Sequence, residues 1–368
     1  MITQRLISSD SHVNVQHDQV KERLASRYHG AYDAALQQAF GEMLGGNAAK
    51  ANMSGLKHVH ASHGRPGYVD PVERLADMDI DGVDIEVLYC EVSAYRYLYL
   101  MREGSHEATR AFNDTLLAFG SVDPRRLVVT AQVPIHDIDF AVEEVQRIAS
   151  LGGKSLQLPV FPNELGQPDY FHERYDRLFC VIEETGLPIC NHIGLNTALN
   201  QLADRDPVPR LAWTMSCMPP SACEALGMWL LTGPLVKHPE LKVVFVEPGL
   251  GWVAYYLHFL DDMVLRQGYE FPLLAGELPS FYYLRNMAMT FIDEPDPIRF
   301  LRHRLGTENL MWSSDYPHPV STWPKSRVVV DELFADVPDA ERDAIVCHNA
   351  ERIWNLEPSG EETTEASP

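Results

Sequence analysis

Eight short apolar runs rich in β-branched residues recur along the 368-residue chain, and most of them lead into a helical pattern. The runs occupy 5–9, 83–90, 127–133, 154–160, 187–191, 241–246, 287–292 and 309–314. The helical patterns between them cover 105–119, 137–150, 171–186, 221–237, 252–267 and 295–305. When a helix intervenes between two strands it returns the chain to its starting edge, so the strands pair in parallel. Eight such units close the sheet on itself, and the expected class is α/β: a distorted TIM (β/α)8 barrel. Two long segments break the rhythm, 16–70 after the first strand and 194–220 after the fifth; the latter holds Trp213, Met215 and Met218. Both emerge at the C-terminal face, as a lid or as a contact surface. A single barrel domain over 1–356 and a disordered acidic tail over 357–368 account for the length.

The formal charge of −22 argues against nucleic acid or an anionic membrane surface as a partner. No run reaches the roughly 20 apolar residues of a membrane span, and the early first strand leaves no apolar signal core, so a cytoplasmic protein is expected. The six cysteines form no Cys-x-x-Cys pair; Cys90, Cys180 and Cys190 lie in apolar patterns and read as reduced core thiols.

Carboxylates and imidazoles collect where the strands end. Asp10 and His12 follow the first and share a face, because side chains alternate with period two. Glu91 follows the second strand, His136 the third, His192 the fifth and Glu247 the sixth. Asp315 follows the eighth, with His318 three residues on. One such residue alone is more often a hydrogen-bonded loop residue. Asp10, His12, His192, Glu247, Asp315 and His318 together put three carboxylates and three imidazoles on one rim, which is a metal-ligating set. Glu247 and His318 read equally well as residues that orient the ligands.

His136, Glu91 and His63 are secondary candidates. His136 precedes Asp137 and also reads as the cap of the following helix. His63 closes the run His58-Val59-His60-Ala61-Ser62-His63, whose other reading is a solvated loop. Arg65 is a candidate for a substrate carboxylate or a plain surface arginine. There is no Gly-x-Ser-x-Gly elbow and no phosphate loop. Gly249-Leu250-Gly251 lacks the third glycine of a dinucleotide fingerprint and reads as close packing at the rim.

The chain resembles the amidohydrolase-related family (amidohydrolase 2) that includes aminocarboxymuconate semialdehyde decarboxylase and the aromatic-acid decarboxylases. The likeness runs from about residue 6 to residue 356 and rests on Ser9-Asp10-Ser11-His12-Val13, Arg74-Leu75-Ala76-Asp77-Met78-Asp79, Asn191-His192-Ile193-Gly194, Glu247-Pro248-Gly249 and Ser314-Asp315-Tyr316-Pro317-His318. It implies a TIM-like barrel with a metal centre. Against the family pattern, Asp10 and Glu247 stand where the decarboxylases carry other ligands, and His318 has no counterpart. Lys154 lies at the start of the fourth strand, not at the exit where a carbamylated bridging lysine would stand.

A carboxylate-rich donor set suits iron or manganese. The resemblance therefore implies the dinuclear-iron hydroxylase branch, which holds the hydroxylase of platensimycin biosynthesis and 2-aminoisobutyrate hydroxylase. The expectation is an O2-activating monooxygenase with two metal ions, Fe/Fe or Mn/Fe, acting on a small or apolar carboxylic acid. The six residues above would be its ligands, with Asp315, His192 and His318 in the chemistry. The alternatives are a decarboxylase or hydrolase with one Mn or Zn, and a partner subunit of a hetero-oligomeric enzyme. A homo-oligomer is the default expectation.

Overall fold

The computed structural model describes residues 4–44, 64–90, 94–192 and 219–358. Its strands are β1 (Ile7–Val13), β2 (Ile85–Cys90), β3 (Leu127–Gln132), β4 (Ser155–Gln157), β5 (Ile189–His192), β6 (Val243–Val246), β7 (Met287–Phe291) and β8 (Leu310–Trp312). They pair in parallel in sequence order, one sheet running from β1 to β8. The segment that follows β8 meets β1 through a parallel bridge between Ser11 and Tyr316. The His12 amide donates to the Tyr316 carbonyl at 2.6 Å and the Asp315 amide to the Asp10 carbonyl at 3.0 Å. The barrel expected from the eight runs is the fold.

The crossovers follow from local sequence. Helix α1 (Pro71–Asp81) starts at Asp70, whose carboxylate accepts from the Val72 and Glu73 amides, and ends at Gly82 in the left-handed region. Helix α2 (Ser105–Gly120) and helix α3 (Ile138–Ser150) flank β3. α3 buries Phe140, Ala141, Val145 and Ile148, a helical spacing that turns one stripe to the sheet. Asp137, not His136, caps α3 by accepting from the Phe140 amide at 3.1 Å; a carboxylate is the better acceptor for the exposed amides of a first turn. Helix α4 (Asp176–Thr185) leads into β5, and helix α5 (Gly251–Gln267) follows β6.

Three details depart from expectation. β1 continues to Val13, so Asp10 and His12 lie within the strand and not beyond its end. The extension comes from pairing of Ser11, His12 and Val13 with Leu88, Tyr89 and Cys90. Cys90 and Cys190 are buried but Cys180 is exposed, because it lies on the side of α4 opposite the buried Leu178, Val181 and Ile182. Trp252, Tyr255 and Tyr256 of the 252–267 helical pattern read from sequence mostly as core aromatics, yet Tyr255 is 71% exposed. Among the described residues no helix is long and apolar enough to cross a membrane.

The floor of the barrel is closed by Trp354, whose indole N–H donates to the Ser155 hydroxyl at 3.1 Å, at the start of β4. Trp354 is 1% exposed. Trp354→Ala should destabilise the protein by about 3–5 kcal/mol, since it leaves a large cavity beneath the barrel. A urea titration followed by circular dichroism measures this; a loss under about 1 kcal/mol would mean the floor collapses around the gap. Lys154, next to this floor, donates to the Asn355 carbonyl at 3.1 Å, remote from any bridging role at the mouth.

Candidate metal centre

β1 pairs Ser8 with Glu86 but Ser11 with Leu88, so one extra residue is accommodated between them. This bulge shifts the alternation of side chains: Ser8 and Ser11, three apart, touch through their hydroxyls at 3.0 Å. Both also reach the Ser314 hydroxyl, at 3.0 and 3.2 Å. Ser11 donates to Glu86 at 3.2 Å, and Glu86 in turn accepts from Arg74. The fully buried Arg74 also donates to the His12 carbonyl at 2.8 Å and lies 4.1 Å from the centre of the Tyr316 ring. This lattice fixes the backbone beneath His12 and Asp315.

On that frame the expected ligands converge. His12 Nε2 lies 3.6 Å from Asp10 Oδ1 and 3.1 Å from Asp315 Oδ1. His192 Nε2, at the end of β5, lies 3.4 Å from Asp10 Oδ1. His318 Nδ1 lies 2.8 Å from Asp315 Oδ1, and the His12 and His318 rings are 3.9 Å apart. Glu247 follows β6 and shares a cluster with Asp10 and Asp315, their oxygens within 4.8 Å of one another. Its amide donates to the Thr290 hydroxyl at 2.8 Å.

Glu247 and Asp315 both sit in the left-handed region, at φ 60 and 53. For side-chain-bearing residues this costs on the order of 1 kcal/mol each and is typical of sites where direction matters more than local comfort. Gly249 has φ 70 with nothing closer to its Cβ position than 3.9 Å, so its role is the turn and not close packing. That turn lets the Leu250 amide reach Glu294 at 2.9 Å.

The electrostatics are those of a cation site. Both oxygens of Asp10 are buried and accept no hydrogen bond among the described residues. An isolated buried carboxylate costs several kcal/mol, and a bound cation removes that cost. Burial pushes the Glu247 carboxyl up to about 8, with the like charges of Asp315 and Asp10 adding to it and His192 and His318 opposing. Burial alone would lower the His318 imidazolium, but Asp315, Glu247 and Asp10 outweigh it and push it up to about 9. Oxygen and imidazole donors at these separations fit a divalent ion of the Mn2+ or Zn2+ kind.

A raised folded-state pKa means that the folded form holds its proton more tightly, so stability falls as pH climbs between the two values. The metal-free protein should therefore lose stability as pH rises from 4.5 through about 8 for Glu247, and from 6.5 through about 9 for His318. Thermal melts in chelator at stepped pH test this; stability that rises over the range would refute it.

Of the secondary candidates, His136 is described and belongs to none of the donor clusters. His136 packs edge-on against Tyr99, with ring centres 5.0 Å apart, beside His106. His63 and Glu91 lie outside the described residues, as do His58, His60, Trp213, Met215 and Met218. Arg65 stacks on Trp323 at 3.8 Å. Of the supporting residues, Arg74, Ser11 and Ser314 stand in the motifs of the family resemblance with no role assigned to them, and Glu86, Ser8 and Thr290 were not singled out from sequence. Glu86 did leave a trace, as a lone carboxylate inside an otherwise apolar strand. Beside Glu247 opens a cavity of ≈ 490 Å³, walled by Pro248, Trp252, Phe291, Ile292 and Val320.

The amidohydrolase family profile matches residues 57–356, and the chain belongs to that family. It is 20% identical over 301 residues to 2-amino-3-carboxymuconate-6-semialdehyde decarboxylase of Dictyostelium discoideum, covering 79% of this chain and 78% of the relative. It is 23% identical over 314 residues to gamma-resorcylate decarboxylase of Rhizobium, covering 77% and 86%. The crystal structure of 5-carboxyvanillate decarboxylase from Sphingomonas paucimobilis superposes with a TM-score of 0.71 at 24% identity, over 96% of this chain and 100% of that one. A dihydroxybenzoic acid decarboxylase of Polaromonas, which holds manganese and 2-nitroresorcinol, gives 0.68 at 15% identity, over 97% and 98%.

These relatives overturn the expectation of an O2-activating monooxygenase with an Fe/Fe or Mn/Fe pair, because their named activities are decarboxylations. The physical reason is that a carboxylate in place of an imidazole changes the hardness of a donor set without setting the number of metals or the reaction. The three clusters at the mouth overlap in pairs, through Asp10, His12 and Asp315 in turn, and so form one connected group.

Proposed function

We propose that this protein is a metal-dependent, non-oxidative decarboxylase of a small aromatic or unsaturated carboxylic acid. The observation that carries the reading is the convergence of Asp10, with its unsatisfied buried oxygens, on His12, His192 and Asp315, in a chain whose named relatives are decarboxylases. Asp10, His12, His192 and Asp315 would hold one Mn2+ or Zn2+, with Glu247 and His318 at its edge. When bound, such an ion supplies a fixed positive charge that orients an anionic substrate and stabilises charge developing on it.

The chain's own residues account for the rest. Loss of CO2 breaks a carbon–carbon bond and leaves its electron pair on the substrate, so that carbon must receive a proton. The Asp315–His318 pair, 2.8 Å apart, is placed to hold and deliver it. The electron pair needs delocalisation, which an aromatic or unsaturated body provides. Trp252, Phe291 and Val320 offer such a body an apolar wall.

The test is CO2 release, with and without oxygen, from a panel of hydroxybenzoates and unsaturated acids by protein loaded with Mn2+ or Zn2+. Oxygen-independent release, reduced about 10²- to 10⁴-fold in Asp315→Asn, is expected. Turnover that consumes oxygen, or hydrolysis of an ester or amide without CO2 release, would replace this reading.

A further inference from the structure

A second group of metal donors lies away from the barrel mouth. Cys180 and Glu183 stand one turn apart on α4 and so share a face. His238 comes from the segment that leads into β6, on the N-terminal side of a strand whose other end carries Glu247. Its Nδ1 lies 3.1 Å from Glu183 Oε2 and 4.0 Å from Cys180 Sγ. A tetrahedral Zn2+, with bonds of about 2.3 Å to sulfur and about 2.0–2.1 Å to nitrogen or oxygen, separates such donors by about 3.3–3.6 Å. The observed pair brackets that spacing.

Two features make the group pre-set. His238 is 4% exposed, and its Nε2 is 3.5 Å from Asp176 Oδ1. A proton held on Nε2 by that carboxylate leaves the Nδ1 lone pair facing Glu183 and Cys180, the outer-shell arrangement that orients ligand imidazoles. Glu183 is held from behind, since its Oε1 accepts the Glu240 amide at 2.8 Å. Cys180 is exposed, which leaves the ion a path in and a solvent position.

We propose that Cys180, Glu183 and His238 form a second divalent-metal site of the Zn2+ class, which clips α4 to the entry of β6. Without metal, His238 Nδ1 and Glu183 Oε2 rest at hydrogen-bond distance, 3.1 Å apart. The proposal is independent of the reaction assigned to the mouth, whose clusters contain no thiol among the described residues.

The full-length protein, stripped with chelator and titrated with Co2+, tests it. Thiolate ligation gives a near-ultraviolet charge-transfer band that the oxygen and nitrogen donors of the mouth do not produce. The band should saturate, disappear on adding Zn2+ and be absent in Cys180→Ser, whose exposed position leaves folding intact. Zn2+ should also slow alkylation of Cys180, read by mass spectrometry, by on the order of tenfold, since a metal-bound thiolate is a poor nucleophile. No band in the wild type, a band that persists in Cys180→Ser, or no protection of Cys180 would each overturn the site.

Discussion

Asp10→Asn is expected to make the metal-free protein more stable and the metal-loaded protein inactive. Asp10 is fully buried, its oxygens accept no hydrogen bond among the described residues, and Asp315 and Glu247 lie close by. Replacing the carboxylate by an amide of the same shape removes one acidic group from a crowded set of three, in which Glu247 already holds its proton up to about pH 8. Relief of an uncompensated buried charge is worth on the order of 1–3 kcal/mol. The same change removes an anionic ligand placed between His12 and His192, so the ion is lost and turnover falls with it. Urea melts in chelator, paired with metal content after gel filtration, give the two readings. A destabilised, chelated Asp10→Asn protein would show that the carboxylate is compensated in the resting state and that no cation is needed there. The pattern expected instead is the one in which function is retained at the expense of stability.

The second large effect is expected at Arg74, which no sequence argument placed in the site. Arg74→Met keeps much of the volume but leaves Glu86 buried without its counter-charge and releases the His12 carbonyl. Breaking a buried ion pair from one side costs about 3–5 kcal/mol. The cost should be larger at pH 8 than at pH 5, because Glu86 can neutralise itself by taking a proton as the pH falls. The folded carboxyl is already raised by burial, and only Arg74 and Ser11 hold it down. Glu86→Gln in the same background should recover part of the loss by removing the stranded charge. Denaturant melts of the single and double variants at both pH values decide this; equal costs at the two pH values would mean that Glu86 carries no charge in the native protein.

Much of this was legible in advance, for a definite reason. A strand or helix is set by residues a few positions apart, so the runs at 83–90, 127–133 and 287–292 predicted β2, β3 and β7 to within two residues. Parallel pairing then follows from the intervening helices, and closure from their number. The six residues expected to share one site were legible as neighbours because a closed barrel brings every strand exit to one rim. The error at β1 had a tertiary cause: past a bulge that no periodicity announces, Ser11, His12 and Val13 go on pairing with Leu88, Tyr89 and Cys90. Cys180 was misread because an apolar stretch of helix does not say which of its faces meets the sheet.

What the sequence by itself determined is the barrel and the inventory of carboxylates and imidazoles at its mouth, since both follow from short-range pattern and chain order. The tertiary structure decided which of those groups lie within reach of a common ion, that Arg74 and Glu86 stand behind them, and that His238 meets Cys180 and Glu183 on the outer face. Those relations join residues tens to hundreds of positions apart, at separations of 3–4 Å set by side-chain packing and a single bulge, and distances of that kind are encoded in no local stretch of chain.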